Sequence, residues 1–196
     1  MLKISKEIIV LFLFFIFICG CSNRNGTEGN NVDIKGKWKS GSLEKAGEGA
    51  FVERQFRFLD EFWQIDYTLY QDKEQQKPVF QFQGEGSYEI EGPSSKVKGA
   101  FNGNFRMSKK YITLLTDNKE EVKNYGFDIY KFKKGQKMDI SETGCYFIAP
   151  VSECDKEYDI IKTDGSELYF GKRPMDNDIS KPEKRPTELG LPLVRY

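Results

Sequence analysis

The chain has 196 residues, with 30 lysines and arginines, 30 aspartates and glutamates, and no histidine. Balanced charge gives no electrostatic footprint for nucleic acid. The absence of histidine excludes Ser-His-Asp and Cys-His catalysis together with the commonest zinc sites. Because the carboxylates fall on outward-facing or turn positions, we expect no catalytic residue, no enzyme activity, no metal and no cofactor.

The N-terminus has the pattern of a lipoprotein export signal. Lys3 and Lys6 precede an apolar run over 8–18, and Ile18-Cys19-Gly20 precedes Cys21. The run is short for an ordinary spanning helix and suits a signal peptide, and its end resembles a bacterial lipobox. We therefore expect residues 1–20 to be removed and Cys21 to be acylated. The protein would then sit in the bacterial cell envelope, in the outer membrane if the cell is Gram-negative. A plain signal peptide or an uncleaved anchor is the alternative.

A polar linker and a single domain follow the signal. Residues 21–32 are rich in Gly and Asn, which is typical of a flexible tether. Residues 33–196 have the length of one domain. Four prolines predict that residues 173–192 form an extended or irregular C-terminal extension. The final stretch, LGLPLVRY, is apolar enough to dock back onto the domain.

Alternating apolar and polar residues predict β-strands along most of the domain. The pattern is clearest over 63–70, 80–92 and 96–107, and it recurs over 36–40 and 55–58. Weaker strands are predicted at 111–116, 125–132, 145–149, 158–162 and 168–171. About ten strands without a convincing amphipathic helix favour an all-β, antiparallel fold, and the long central strands favour a barrel, closed or partly open.

Four glycines occupy the apolar face of the two longest strands: Gly84, Gly86, Gly99 and Gly103. Glycine at such positions lets a sheet coil shut, because a bulky inner side chain would clash. The glycines therefore predict a barrel that closes and keeps space inside. The alternative is that neighbouring aromatic side chains fill that space.

Inward-facing aromatic residues are the candidates for a ligand pocket. If the barrel is hollow, they line a site for a hydrophobic ligand; if it is filled, they are its core. The candidates are Phe58, Trp63, Tyr67, Phe80, Phe82, Tyr88, Phe101 and Phe105.

Two cysteines lie within the domain, Cys145 and Cys154. An exported chain folds where disulfides form, so we expect these residues to be bridged. Without a histidine nearby, they make at best a weak zinc site.

Several short motifs, in order, resemble the adenomatosis-polyposis-coli-down-regulated domain family, and G-x-W at Gly36–Trp38 also has the shape found on the first strand of lipocalins. The matching residues are Gly36, Trp38 and Ser40; Val52-Glu53-Arg54 with Phe56 and Phe58; Tyr67 and Tyr70; Asp72 and Pro78; Phe82, Gly86 and Tyr88; LYFGKRP at 168–174; and LPLV at 191–194. The chain has Leu43 and Gln75 where the family has cysteines. The resemblance implies a lipocalin-like, somewhat open barrel with an apolar groove that accepts an acyl chain.

Arg54 is the polar residue that stands out on the inward face. A buried arginine needs a partner. By analogy with lipocalins, its guanidinium stacks on Trp38 and closes one end of the barrel. Alternatively, it binds the carboxylate or phosphate of a ligand at the pocket mouth. Arg173 is the other candidate for both roles.

These observations predict a membrane-anchored binding protein that holds an acyl chain or another hydrophobic small molecule or lipid in a barrel. The alternative is a protein–protein interaction module of the envelope or cell surface, with a filled core and no small ligand. The two differ in whether lipid co-purifies with the protein.

Overall fold

The computed structural model describes residues 32–196, so the predicted signal peptide, Cys21 and most of the tether lie outside the described residues. Within 32–196 the chain is mostly β, with one short helix, α1 (Lys119–Asn124). The strands are β1 Gly36–Ser40, β2 Glu44–Lys45, β3 Phe51–Phe58, β4 Phe62–Tyr70, β5 Pro78–Pro93, β6 Phe101–Arg106, β7 Lys109–Leu114, β8 Lys137–Asp139, β9 Lys156–Thr163, β10 Glu167–Phe170 and β11 Leu193–Arg195. No helix in this part of the chain is long and apolar enough to cross a bilayer.

Eight strands close into an antiparallel barrel, which confirms the predicted all-β barrel fold. The order around the barrel is β3, β1, β11, β10, β9, β6, β5 and β4, and β4 pairs with β3 to complete the ring. Strands β2, β7 and β8 lie outside it. The ring is closed along this path, so the partly open alternative does not apply.

Strand β5 belongs to two structures at once. Its first part pairs with β7, from Phe80 opposite Leu114 to Glu85 opposite Lys109. Its last part pairs instead with β6, beginning with Tyr88 opposite Phe105. The chain therefore leaves the barrel between β6 and β7. We call residues 109–154 the smaller lobe.

Gly86 on β5 lies against Arg106, the last residue of β6, after which the chain leaves the barrel. A Cβ atom on Gly86 would lie 2.0 Å from the carbonyl oxygen of Arg106. The indole N–H of Trp63, which is paired with Gly86 across the sheet, donates to that same oxygen at 3.0 Å. The glycine thus allows the backbone after β6 to pack directly on β5.

Neighbouring side chains occupy the space beside the other inner glycines. A Cβ atom on Gly84 would lie 3.1 Å from the Met107 sulfur, and one on Gly103 would lie 2.8 Å from the Phe105 ring. The glycines therefore permit close packing, which was the alternative interpretation. Gly99 is not in a strand: it has a φ of 76° in the turn before β6.

The smaller lobe contains the two predicted strands that are wrong. Residues 125–132 form turns after α1, and 145–149 form turns with a single isolated bridge between Cys145 and Ile148. Asn118 caps α1 by accepting the backbone N–H of Glu120 at 3.0 Å. The helix has six residues, which is too short for a helical period to stand out in the sequence.

The C-terminal extension is irregular apart from a 3₁₀ turn at Pro182–Lys184, and β11 then inserts between β1 and β10. The docking of the final stretch therefore completes the barrel. Arg185 holds the extension in place, because its guanidinium donates to the carbonyl oxygens of Gly103 and Asp159, both at 2.7 Å. The Asp159 carboxylate accepts the N–H groups of Ile160 and Gly171 at 2.7 and 2.8 Å, and burial raises its pKa to about 6.

Candidate functional site

The barrel interior holds a group of tightly packed rings that we call the sealed cluster. It consists of Phe56, Phe58, Trp63, Tyr88, Phe105 and Phe170. Ring centroids are 4.5 Å apart for Phe56 and Phe170, and 5.0 Å apart for Trp63 and Phe105. Apart from the half-buried Tyr88, every member is 5% exposed or less. Aromatic side chains therefore fill this part of the barrel.

Four of the predicted pocket residues lie in the sealed cluster: Phe58, Trp63, Tyr88 and Phe105. Their rings pack against one another: Phe58 and Tyr88 meet edge to face, with their centroids 5.2 Å apart. The partly buried Phe82 packs against two groups of buried residues, one that contains Phe58 and one that contains Phe80. Phe101 is half-buried opposite Ile161 on the neighbouring strand.

The guanidinium that lies over Trp38 belongs to Arg195, at 4.2 Å from the ring centroid. Trp38 is fully buried, and its indole N–H donates to the carbonyl oxygen of Ile34 at 2.8 Å. Arg173 instead forms an ion pair with Glu157, with nitrogen–oxygen distances of 3.1 and 2.5 Å. Sequence reasoning missed Arg195 because it follows the Pro-rich extension, far from β1 in the chain.

A second group of rings, which we call the open cluster, connects the barrel wall to the smaller lobe. It consists of Tyr67, Phe80, Tyr125, Phe127, Tyr130, Phe132, Tyr146 and Phe147. Phe80 is central, with its ring centroid 5.3 Å from that of Phe127 and 5.5 Å from that of Phe147. Two predicted pocket residues, Tyr67 and Phe80, lie here.

The open cluster reaches the protein surface. Phe147 is 49% exposed and Tyr146 is 71% exposed, whereas Phe80 beneath them is buried. The hydroxyl of Tyr130 accepts the backbone N–H of Tyr146 at 2.6 Å, which fixes the two turns of the lobe together. Exposed apolar surface continuous with a buried aromatic base is the usual geometry of a hydrophobic binding face.

Polar groups border the open cluster on the barrel side. Arg54 pairs with Tyr67 across the sheet, and its Nε donates to Glu44 at 2.7 Å. Within residues 32–196, its two terminal guanidinium nitrogens have no hydrogen-bond partner. Burial, with a contribution from Glu44, raises the pKa of Tyr67 to about 12, so its hydroxyl stays protonated at neutral pH. The Arg54 guanidinium also lies 5.8 Å from the centroid of the Phe56 ring, so this arginine and the Tyr67 phenol stand between the two clusters.

The predicted disulfide is absent, since Cys145 and Cys154 are free thiols. Cys145 packs inside the smaller lobe, where burial raises the pKa of its thiol to about 11. Cys154 lies in a separate turn, and its carbonyl oxygen accepts the Lys110 ammonium at 2.6 Å. The two residues belong to turns fixed by different contacts, which is why closeness in sequence was a poor guide. The part of the chain described here contains no group of three or more His, Cys, Asp or Glu side chains arranged to hold a metal ion.

The residues that sequence reasoning missed are those of the smaller lobe: Tyr125, Phe127, Tyr130, Phe132, Tyr146 and Phe147. They lie in segments predicted as weak strands, so they were not assigned to an inward face. The sequence feature that could have identified them is the high density of aromatic residues: residues 125–132 carry four aromatic side chains in eight positions, with charged residues between them.

The fold is that of a closed antiparallel β-barrel with a small lobe attached through one shared strand. The family described as Adenomatosis polyposis coli down-regulated 1 matches residues 22–127, which is more than half of the chain. The chain belongs to this family, and the resemblance found in the sequence is confirmed. The match includes β1 to β7 and α1, and therefore both sides of the open cluster's base, Tyr67 and Phe127.

Proposed function

We propose that this domain is a binding module for a hydrophobic ligand, such as an acyl chain or lipid, and that the ligand binds at the open cluster. The central observation is the continuity from buried Phe80 to half-exposed Phe147 and largely exposed Tyr146. Apolar ligand surface buried there would contribute roughly 25 cal/mol per Å². In the sealed cluster, by contrast, every ring except that of Tyr88 is buried.

Arg54 and Tyr67 supply the polar end of the proposed site. An acyl chain carries a carboxylate or an ester at one end, and a guanidinium binds such oxygens through directional hydrogen bonds. The terminal nitrogens of Arg54 and the protonated hydroxyl of Tyr67 are the donors for this role. Glu44 holds the Arg54 side chain in position through its Nε.

Membrane anchoring through an acylated Cys21 is part of the proposal. The N-terminal sequence supports it, and Cys21 lies outside the described residues. In this scheme the anchor keeps the barrel beside a bilayer, where acyl chains are abundant. A bacterial envelope lipoprotein is the setting that the lipobox indicates.

The test is native mass spectrometry on the chain from Ser22 to Tyr196, before and after addition of fatty acids, followed by solvent extraction. We expect an adduct of fatty-acid or phospholipid mass that is lost on denaturation. Phe147→Ser should weaken uptake at least tenfold, because it removes the ring that joins the buried and exposed parts of the cluster. A clean mass with no uptake by the wild-type chain would refute the proposal.

Phe62→Ser is the matched control. Phe62 is also a partly exposed phenylalanine, at 36%, but it lies in the β3–β4 hairpin at the far end of the sealed cluster. It should take up fatty acid like the wild type. Equal loss in both variants would mean that general surface hydrophobicity, rather than the open cluster, governs uptake.

The packing of the sealed cluster favours a second candidate function, an interaction module that binds another protein. A filled barrel provides a rigid scaffold, and exposed aromatic side chains are common at protein interfaces. This version predicts that no lipid co-purifies and that Phe147→Ser disrupts a protein complex instead. Extraction of the purified protein separates the two functions.

A further inference from the structure

We propose that the smaller lobe docks onto a bilayer surface that carries anionic head groups. This goes beyond the proposed function, because it concerns the surface around the open cluster rather than a ligand within it. It also does not require the acyl anchor, so it can be tested on a chain without one.

Apolar side chains project from adjoining turns of the lobe. Ile129 is 73% exposed, and Tyr146 and Phe147 extend from the neighbouring turn. The hydrogen bond between Tyr130 and the Tyr146 backbone keeps these turns together. Tyrosine and other aromatic side chains favour the level of the lipid head groups, where a ring is in apolar surroundings and its hydroxyl remains hydrated.

Lysines accompany these apolar residues. Residues 129–137 contain four lysines and no acidic residue. Lys131 and Lys133 flank Phe132 and are exposed, and within residues 32–196 neither forms an ion pair. Lysines close to an anionic bilayer are attracted by its negative surface potential, while apolar residues beside them insert.

A surface cavity lined in part by Phe132 also combines apolar side chains with lysines. The cavity has a volume of about 400 Å³. Its apolar lining includes Leu114, Val122 and Phe132. Three lysines also line it: Lys119, Lys123 and Lys134. This combination suits a lipid phosphate with the first part of its glycerol and acyl groups. The cavity and the exposed side chains both involve the turns that follow α1.

Two acidic residues moderate the charge of the cavity. Asp117 pairs with Lys134 at 3.4 Å, and Asp128 lies on the cavity wall. Lys119 and Lys123 remain on the rim without an ion pair among the described residues. Lysines that form no ion pair among the described residues, next to the exposed Ile129, favour a bilayer surface over an acidic protein, because an acidic protein would not require exposed apolar side chains.

The experiment is co-sedimentation with vesicles of the chain from Ser22 to Tyr196, which keeps all of residues 32–196. One set is pure phosphatidylcholine and the other contains a quarter phosphatidylglycerol. We expect binding to the anionic vesicles that weakens as salt is raised, and much weaker binding to the neutral ones. Fatty-acid uptake is measured separately without vesicles, so failure of the ligand proposal and failure of this one are distinguishable.

Charge reversal locates the surface. The double variant Lys131→Glu with Lys133→Glu should reduce partitioning onto anionic vesicles on the order of thirtyfold or more, since two attractive charges become repulsive. The control is Lys45→Glu with Lys181→Glu, two exposed lysines on β2 and the C-terminal extension. The control should bind like the wild type, and circular dichroism confirms that both variants are folded.

An apolar pair gives a second, charge-independent check. Ile129→Ser should weaken binding several-fold, whereas Met175→Ser should not, although Met175 is fully exposed on the C-terminal extension. Absence of binding to anionic vesicles would overturn the proposal. So would equal effects of the lysine pair and its control, because the smaller lobe would then not be the contact surface.

Discussion

The sealed cluster and the open cluster are both built from aromatic residues and share strands β4 and β5, yet they differ in what surrounds them. Strand β5 supplies Tyr88 to the first and Phe80 to the second. Around Tyr88, β5 pairs with β6, and β6 pairs in turn with β9. Around Phe80 the partner is β7, and turns rather than strands cover the rings. Strands on every side make a core, whereas turns on one side leave a face that a ligand can reach.

The largest expected difference between the clusters is in stability. Phe105→Ala should lower the free energy of unfolding by about 3–5 kcal/mol, because it leaves a cavity among rings that cannot collapse. Phe147→Ala should cost less than about 1 kcal/mol, since half of that ring already faces solvent. Urea unfolding measures both. Similar costs for the two variants would mean that the open cluster is as much a core as the sealed one.

Gly86→Ala tests how the two clusters are kept apart. The added methyl group would meet the Arg106 carbonyl oxygen, which belongs to the backbone and cannot rotate away. We expect the free energy of unfolding to fall by about 3 kcal/mol, which is at the upper end for overpacking. Gly92→Ala on the same strand is the control, because nothing lies within 4 Å of its added methyl group. If both variants unfold at the same urea concentration, the close approach at Gly86 is not what fixes the departure of β7.

Asp159 gives the stability of the barrel wall a pH dependence. Its pKa is about 6 in the folded state, above its ordinary value of 3.8. Between about pH 4 and pH 6 the folded state binds more protons than the unfolded state, so stability falls as the pH rises through that window. Across that window the free energy of unfolding falls by about 3 kcal/mol, at 1.36 kcal/mol per pKa unit.

Asp159→Asn isolates this contribution. The amide oxygen still accepts the N–H groups of Ile160 and Gly171, but the side chain no longer ionises. Urea midpoints measured from pH 4 to pH 7 should decline less steeply for the variant than for the wild type. Parallel curves would show that Asp159 does not titrate in this range.

The smallest effect concerns Tyr146, whose substitution should change function without changing stability. Tyr146→Ser removes a ring that is 71% exposed, so the free energy of unfolding should move by no more than about 0.5 kcal/mol. Fatty-acid uptake should nevertheless fall. Calorimetry and native mass spectrometry on one preparation give both values, and a loss of stability alone would place Tyr146 in the fold rather than in the site.

The barrel could be predicted from the sequence because two-residue alternation is a direct consequence of strand geometry. Strands β4 and β5 lie close to their predicted positions, whereas β3 begins four residues earlier and β6 five residues later than predicted. Phe80 is buried, and the partly buried Tyr67 packs against the same core. The alternation shows which residues face inward, but it cannot show which of them are fully enclosed by the core and which lie near the surface. That depends on which strand lies alongside, and β5 changes partner between Glu85 and Tyr88.

The smaller lobe was the part that alternation could not reveal. Its backbone is held by local contacts, such as the Asn118 cap and the bond between Tyr130 and Tyr146, which leave no period in the sequence. The prediction of a Cys145–Cys154 disulfide was wrong for the same reason, because local contacts in the turns decide where the two cysteines lie. Arg195 was missed because its position over Trp38 depends on the return of the chain after the Pro-rich extension.

The most direct test uses the two tryptophans of the chain, Trp38 and Trp63, which are both buried in the barrel. A brominated fatty acid quenches only nearby tryptophans, and its binding can be counted by native mass spectrometry. If the ligand binds at the open cluster, the protein should take up the brominated acid while its tryptophan emission stays unchanged. Strong quenching on binding would place the acyl chain inside the barrel and contradict the account.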